Sequence, residues 1–537
     1  MPAPVEPTPG DADASVEQHR SEAMAPPGDA APPETVDGGA RSGRRRLLLI
    51  GGALAALAVV AAALVIVRGS DADDRAGDGT TSPSAAEEDD DAGGGEDGVA
   101  PPPRPGATGL GDPYFPDVGN GGYDVSHYTL DLTWRPDAGR MDGVATIAAE
   151  ATEPLASLVL DAVDLGVSEV TVDGEPATAA LQGGRDLVVT PPAPIAEGAT
   201  FETVVTYTTS PRSLTGADPV NPGWVADGDQ VYTVFEPHGA ATLFPVNDHP
   251  ADKAAYELRV TVPEGLDVAA NGLLSETVPG DGEVTWVYDA PDPMASYLVQ
   301  IVIADLEFVE GTGPGGLQLR HAFDADVAAG LAGSMDRTGE MIDFYDDLFG
   351  PFPFVAYGAV VVDRPLGFAL ETQTLSIFGT DSATGEPIVA HELAHQWFGN
   401  AVSPATWRDI WLNEGFATYA EWLWSERDGQ AGLGSMAESV AGFGGLDTPP
   451  ADPGADALFA TSVYERGALT LHVLRDAIGD DAFFTVLRTW VERFGGGAAS
   501  TADFEALAEE ESGQDLQPLF DAWLRAPTMP TLADWVG

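Results

Sequence analysis

The hydrophobic period changes once along this chain, and that change limits the fold to a sheet part followed by a helical part. From Asp112 to about residue 305 apolar and polar residues alternate, as in Tyr128-Thr-Leu-Asp-Leu-Thr-Trp134, Phe201-Glu-Thr-Val-Val-Thr-Tyr207 and Tyr256-Glu-Leu-Arg-Val-Thr-Val262. Segments of this kind, bounded by Gly, Pro or Asp, read as half-buried strands of an antiparallel sheet. After about residue 327 the period lengthens toward 3.6, first in Thr338-Gly-Glu-Met-Ile-Asp-Phe-Tyr-Asp-Asp-Leu-Phe349. Short strands are expected at Ala359 to Asp363 and Thr374 to Phe378, and helices to the end, including Arg466 to Ile478 and Asp481 to Phe494. The expectation is an α+β multidomain chain, with a β domain over 110–305 and a mostly helical domain over 306–537.

The segments before residue 110 have a different character. Residues 1–43 are rich in Pro, Ala, Gly and Glu with no apolar period, which predicts a disordered tail. Arg44, Arg45 and Arg46 then precede an uncharged apolar run from Leu47 to Val67. At about 1.5 Å per residue such a run crosses a hydrocarbon core of about 30 Å. A transmembrane helix is therefore expected over 44–68, in preference to a buried core helix or a cleaved signal peptide. Basic residues before the span and Asp71, Asp73 and Asp74 after it predict the N-terminus in the cytoplasm and the bulk of the chain outside the cell. Residues 69–109, with an acidic run, three glycines and three prolines, read as an extended tether.

Composition excludes several classes of chemistry. Of 537 residues 86 are acidic and 24 basic, a formal charge of −62, so nucleic acid is not an expected partner. Lys253 is the only lysine. There is no cysteine, which removes disulfides, thiolate nucleophiles and thiolate metal ligands. A metal would have to be held by His, Asp or Glu.

Such a set exists. Pro387-Ile-Val-Ala-His391-Glu392-Leu-Ala-His395-Gln-Trp-Phe398 reads as a helix opened by a proline. Histidines four apart share a helix face and can grip one ion. Glu392 can face water at the metal, take its proton as general base and pass it to a leaving amine. Zinc would lower the pKa of that water toward about 7 and polarise a substrate carbonyl. A catalytic zinc needs three protein ligands, and the third candidate is Glu414, in the helical stretch Trp411-Leu-Asn-Glu414-Gly-Phe-Ala-Thr-Tyr-Ala-Glu421-Trp-Leu-Trp424.

These residues resemble the gluzincin aminopeptidases, the family of aminopeptidase N and leukotriene hydrolase. That family carries H-E-x-x-H, eighteen residues, then E, and here eighteen residues separate His395 from Glu414. His391-Glu-Leu-Ala-His-Gln-Trp-Phe-Gly399 and Trp411-Leu-Asn-Glu-Gly-Phe416 match its text. The resemblance covers residue 110 to the end and implies a saddle-like sheet domain followed by a thermolysin-like catalytic domain, with one zinc ion per chain. It implies that Tyr464, in Ser462-Val-Tyr464-Glu-Arg-Gly467, hydrogen-bonds the oxyanion of the tetrahedral intermediate. It implies that Glu371, in Gly367-Phe-Ala-Leu-Glu371-Thr372, and Glu236, in Phe235-Glu236-Pro-His-Gly-Ala, bind the amino terminus of the substrate. The family's G-x-M-E-N is altered at the first of these, with Leu370 for Met, Thr372 for Asn and the glycine offset by one. The chain ends at Gly537, without room for the large C-terminal helical domain of the full-length family, so a more open cleft is expected. The expected function is a zinc aminopeptidase acting on peptides. A zinc endopeptidase and a non-catalytic surface binding protein are the alternatives, and the oligomeric state is left open.

Overall fold

The computed structural model describes residues 101–214, 222–228, 230–383 and 385–536. The expected tail over 1–43, the transmembrane helix over 44–68 and most of the tether lie outside these. Among the described residues no helix is long and apolar enough to cross a membrane. The end of the tether is ordered, however. Arg104 and Pro105 pair with the strand at Leu155–Asp161, and the Arg104 N–H donates to the Pro154 carbonyl at 2.9 Å. The folded part therefore starts some six residues before the expected 110, because an extended Pro-rich segment can still satisfy its polar groups along a sheet edge.

The strands that matter here are β1 (Tyr123–Arg135), β2 (Arg140–Ala151), β3 (Thr200–Thr209), β4 (Gln230–Val234), β5 (Lys253–Pro263), β6 (Glu283–Ala295) and β7 (Ile301–Ala304). A large sheet runs in the order β6-β5-β1-β2-β3. Side chains alternate across it, so that Leu130, Leu132, Ile147, Val205, Leu258 and Val260 all point into the core. The sheet is not wholly antiparallel as expected, since β5 pairs with β1 in parallel, Leu258 opposite Leu130. The flank of β1 beside β2 is taken by a hairpin, so the chain returns to the other flank only after a long excursion, and long excursions permit parallel pairing. Within that excursion β4 pairs with β7 in a second sheet and leads directly into Phe235 and Glu236.

Asp305 separates this part from the next. β7 belongs to the second sheet, whereas β8 (Leu306–Thr312) opens a new one with β9 (Gln318–Asp324), β10 (Ala356–Val361), β11 (Ala369–Leu370) and β12 (Leu375–Phe378), in the order β8-β9-β10-β12-β11. The edge strand β11 delivers Glu371. Helices follow: α1 (Thr338–Phe349), α2 (Glu386–Ala394), α3 (Trp411–Arg427), α4 (Thr461–Ile478), α5 (Asp480–Phe494) and α6 (Thr501–Ser512).

α3 is the axis of the helical part. Every residue from Trp411 to Ser425 is buried except Glu421. A helix apolar nearly all round must be covered on all sides, and Phe416 meets Phe398, Trp411 and Phe504 at ring distances of 4.8, 5.6 and 5.0 Å. α4 lies directly on α3 through two glycines: a Cβ on Gly415 would fall 2.9 Å from the Gly467 Cα. That contact is possible only without side chains. It draws the first turn of α4, with Tyr464, over the metal-ligand candidates.

Candidate active site

α2 begins with Glu386 and Pro387 and ends at Ala394, with His395 capping it. The two histidines thus fall on one face at the end of the helix, their rings 4.8 Å apart. Both Nε2 atoms face the same oxygen of Glu414 on α3, at 3.3 Å from His391 and 3.5 Å from His395. The three donor atoms lie within 4.8 Å of one another. Two imidazole nitrogens and one carboxylate oxygen suit zinc, and ligands about 2.1 Å from a tetrahedral ion stand about 3.4 Å apart, close to the observed separations. The residues present therefore fit the ion.

The other ring nitrogens are occupied. His391 Nδ1 lies 3.7 Å from Glu421, and His395 Nδ1 lies 3.1 Å from the Phe398 carbonyl. The Phe398 carbonyl fixes the His395 tautomer and leaves its Nε2 for the metal, while the Glu421 carboxylate faces the His391 ring from ion-pair distance. Glu421 was not singled out in the sequence, yet it stands seven residues after Glu414, two turns along the same face of α3.

Glu392 is 6% exposed. Burial pushes its pKa up to about 8, against the pull of the two histidines. Burial alone would lower the histidines, but Glu414 and Glu421 raise His391, and Glu371 and Glu414 raise His395. In the same exchange both imidazoles hold the Glu414 carboxyl below its ordinary value despite burial. Without metal the site therefore holds protons, which an entering ion must displace.

The residues expected to bind the amine also converge. Glu236, Glu371 and Glu414 form a second group with oxygens within 4.8 Å of one another, and carboxylate oxygens of Glu371 and Glu392 lie equally close to each other and to a ring nitrogen of His395. Glu236 comes from the end of β4 and Glu371 from the end of β11, so both the sheet part and the helical part build this wall. Both are buried, at 3% and 2% exposure. The main chain at Glu371 is held by two side-chain amides: Gln396 Nε2 and Asn400 Nδ2 donate to its carbonyl at 3.0 and 2.7 Å. Thr372, where the family has Asn, turns inward and its hydroxyl donates to the Leu375 carbonyl.

The Tyr464 ring stacks on that of His391, centroids 6.1 Å apart and planes at 19°. Burial, followed by the negative charge of Glu414, Glu236, Glu371 and Glu392, raises its phenol well above the usual range. The hydroxyl stays protonated and so keeps a proton to donate where negative charge develops beside it. Two residues on, Arg466 directs its guanidinium to the carbonyls of Trp523, Leu446, Asp447, Ala522 and Ala526, at 2.7 to 3.2 Å, and so fastens the C-terminal segment to α4.

Comparison with known proteins agrees with this architecture. Residues 124–298 match the peptidase M1 N-terminal domain, and residues 334–441 and 448–523 match the peptidase family M1 domain. A crystal structure of an M1 zinc metallopeptidase from Deinococcus radiodurans is 34% identical, with a TM-score of 0.75, and the match covers 80% of this chain and 99% of that one. A mutant of that metallopeptidase was solved bound to a Tyr-Ser-Ala substrate. Aminopeptidase M1-B of Oryza sativa subsp. japonica is 26% identical over 76% of this chain and 50% of its own length. Leucyl aminopeptidase of Saccharolobus solfataricus is 27% identical over 76% of this chain and 54% of its own length. The chain spans about half the length of the curated relatives it matches.

Proposed function

Because the chain belongs to peptidase family M1, with an N-terminal β domain and a helical catalytic domain, we propose that it is a zinc aminopeptidase that removes N-terminal residues from peptides. The observation that carries this reading is the convergence of Glu236 and Glu371 on Glu414, beside a complete His391, His395 and Glu414 ligand set. Carboxylates with oxygens this close, buried at the end of a metal site, form a pocket for one ammonium group and exclude an acylated amine.

Zinc, when bound, supplies Lewis acidity, which polarises the peptide carbonyl and makes water a nucleophile near neutral pH. Glu392 takes one proton from the attacking water. Oxygen adds to the carbonyl carbon, and the Tyr464 hydroxyl donates to the carbonyl oxygen as its charge grows. Glu392 then returns the proton to the leaving nitrogen as the C–N bond breaks. Glu236 and Glu371 hold the free amine, which sets the cut one residue from the end.

Cleavage of Tyr-Ser-Ala and of its N-acetylated form by zinc-loaded protein tests the reading. Release of tyrosine from the free peptide only is expected. Equal cleavage of both forms would replace it with the endopeptidase reading, to which the altered G-x-M-E-N segment points. No chelator-sensitive cleavage of either would leave a non-catalytic binding protein.

We further propose that residues 44–68 anchor this domain to a membrane with the catalytic part outside the cell. Leu47 to Val67 is uncharged and follows three arginines. Extraction of the full-length protein from membranes by alkaline carbonate, without detergent, would count against an integral anchor.

A further inference from the structure

Lys253 opens strand β5 in the sheet part, yet its ammonium is buried against the helical part. Nζ donates to the carbonyls of Asn400 at 2.7 Å, Ala401 at 3.0 Å and Gly497 at 3.5 Å. The first two belong to the turn that ends α2. In that turn the Asn400 N–H donates to the His395 carbonyl and the Ala401 N–H to the Gln396 carbonyl, both at 3.0 Å.

The choice of residue is informative. The chain has 24 basic residues and one of them is lysine, so arginine serves at the other 23. An ammonium is a compact charge with three donors that spread in space, whereas a guanidinium is a flat fork. Three carbonyls converging from two segments call for the former. Burying the charge is costly and pushes the Lys253 pKa down to about 7, and the three carbonyl dipoles offset only part of that cost.

The turn that Lys253 holds also holds the amine pocket. Asn400 receives Lys253 on its carbonyl and, through its side chain, donates to the Glu371 carbonyl at 2.7 Å. We propose that Lys253 is a positioning residue for substrate recognition: it fixes the Asn400 peptide, which aims the Asn400 amide at the main chain of Glu371 and so sets the grip on the peptide's amino terminus. This inference rests on the aminopeptidase reading above. The turn is held independently at Gly399, whose carbonyl accepts from Tyr297 at 3.3 Å and Ser403 at 2.9 Å. The metal ligands therefore keep their support when Lys253 is removed, and the effect falls on binding.

The test is a double-mutant cycle on the zinc-loaded protein with Lys253→Met, Asn400→Ala and the pair, measuring kcat and KM for a free tripeptide. Each single change is expected to raise KM about tenfold with kcat within about threefold, a loss of binding rather than of chemistry. The double variant should be no worse than the poorer single, because both act through one contact. A KM for Lys253→Met within twofold of wild type, a loss confined to kcat, or effects that multiply would each overturn the proposal. Wild type that cleaves free and acetylated peptides alike would overturn the aminopeptidase reading and this inference with it, whereas wild type that discriminates beside an unchanged variant would overturn this inference alone.

If Lys253→Met does not fold, wild-type protein labelled with ¹³C at the lysine Cε decides the matter, since one lysine then gives one Cε signal. That signal should move on adding L-leucine and stay in place with N-acetyl-L-leucine. No movement with either would overturn the proposal.

Discussion

Glu421→Gln removes one charge from the second layer of the metal site and leaves its shape. The carboxylate stands 3.7 Å from His391 Nδ1. Two unit charges at that distance interact by about 4.5 kcal/mol at an effective dielectric of about 20. A neutral, metal-ligating imidazole carries only part of a positive charge, and the Glu421 side chain is 25% exposed, so about a third of that figure is a reasonable expectation. That is about 1.5 kcal/mol, or roughly tenfold in metal affinity, at the lower end of the range for partners of ligating histidines. Glu465 lies nearby, its carboxyl pushed up to about 8 by burial and then by Glu421, and loss of the Glu421 charge lets it ionise more readily. Competition of apo-protein against a chromophoric chelator at neutral pH reads the affinity directly. With zinc saturating, kcat should stay within a few-fold of wild type, because His391 itself remains. Affinity within twofold of wild type, in a variant with unchanged melting temperature, would show that Glu421 does not support His391.

Three further outcomes follow from the same geometry. Glu392→Gln should keep its zinc and lose activity by about 10²- to 10⁴-fold, the range for a positioned acid–base group, as read by metal content and kcat/KM together; full activity would remove Glu392 as the base. Tyr464→Phe should lower kcat by about 10²- to 10³-fold with zinc affinity unchanged, and a loss expressed only in KM would deny it contact with the oxyanion. Asp252 is buried beside Asn247 and the Val125 N–H, and burial, then Asp124, push its pKa from 3.8 up to about 8. A raised folded-state pKa gives stability that is complete below about pH 4 and is lost as pH climbs through about 8. Asp252→Asn should therefore gain in melting temperature relative to wild type between pH 5 and pH 9, and a difference independent of pH would refute the assignment.

Spacing alone determined which two histidines could share an ion. Residues four apart on a helix share a face wherever that helix is placed, so His391 and His395 needed no tertiary information. The alternation in β1, β3 and β5 and the 3.6 period of α1 were legible for the same reason, since each reflects a local geometry with a fixed repeat. Glu421 was legible in principle too, two turns beyond Glu414.

What the tertiary structure decided is contact between segments distant in sequence. Glu236 and Glu371 were singled out only by resemblance, because nothing in 134 intervening positions says that the end of β4 will meet the end of β11. The parallel β5–β1 pair depends on how an excursion of over a hundred residues closes, which no local period encodes. The meeting of Gly415 with Gly467 sets Tyr464 over His391, and the reach of Lys253 across to Asn400 ties the two parts of the chain together. Both depend on packing, where the steric fit of whole elements, rather than the preference of any one segment, fixes the answer.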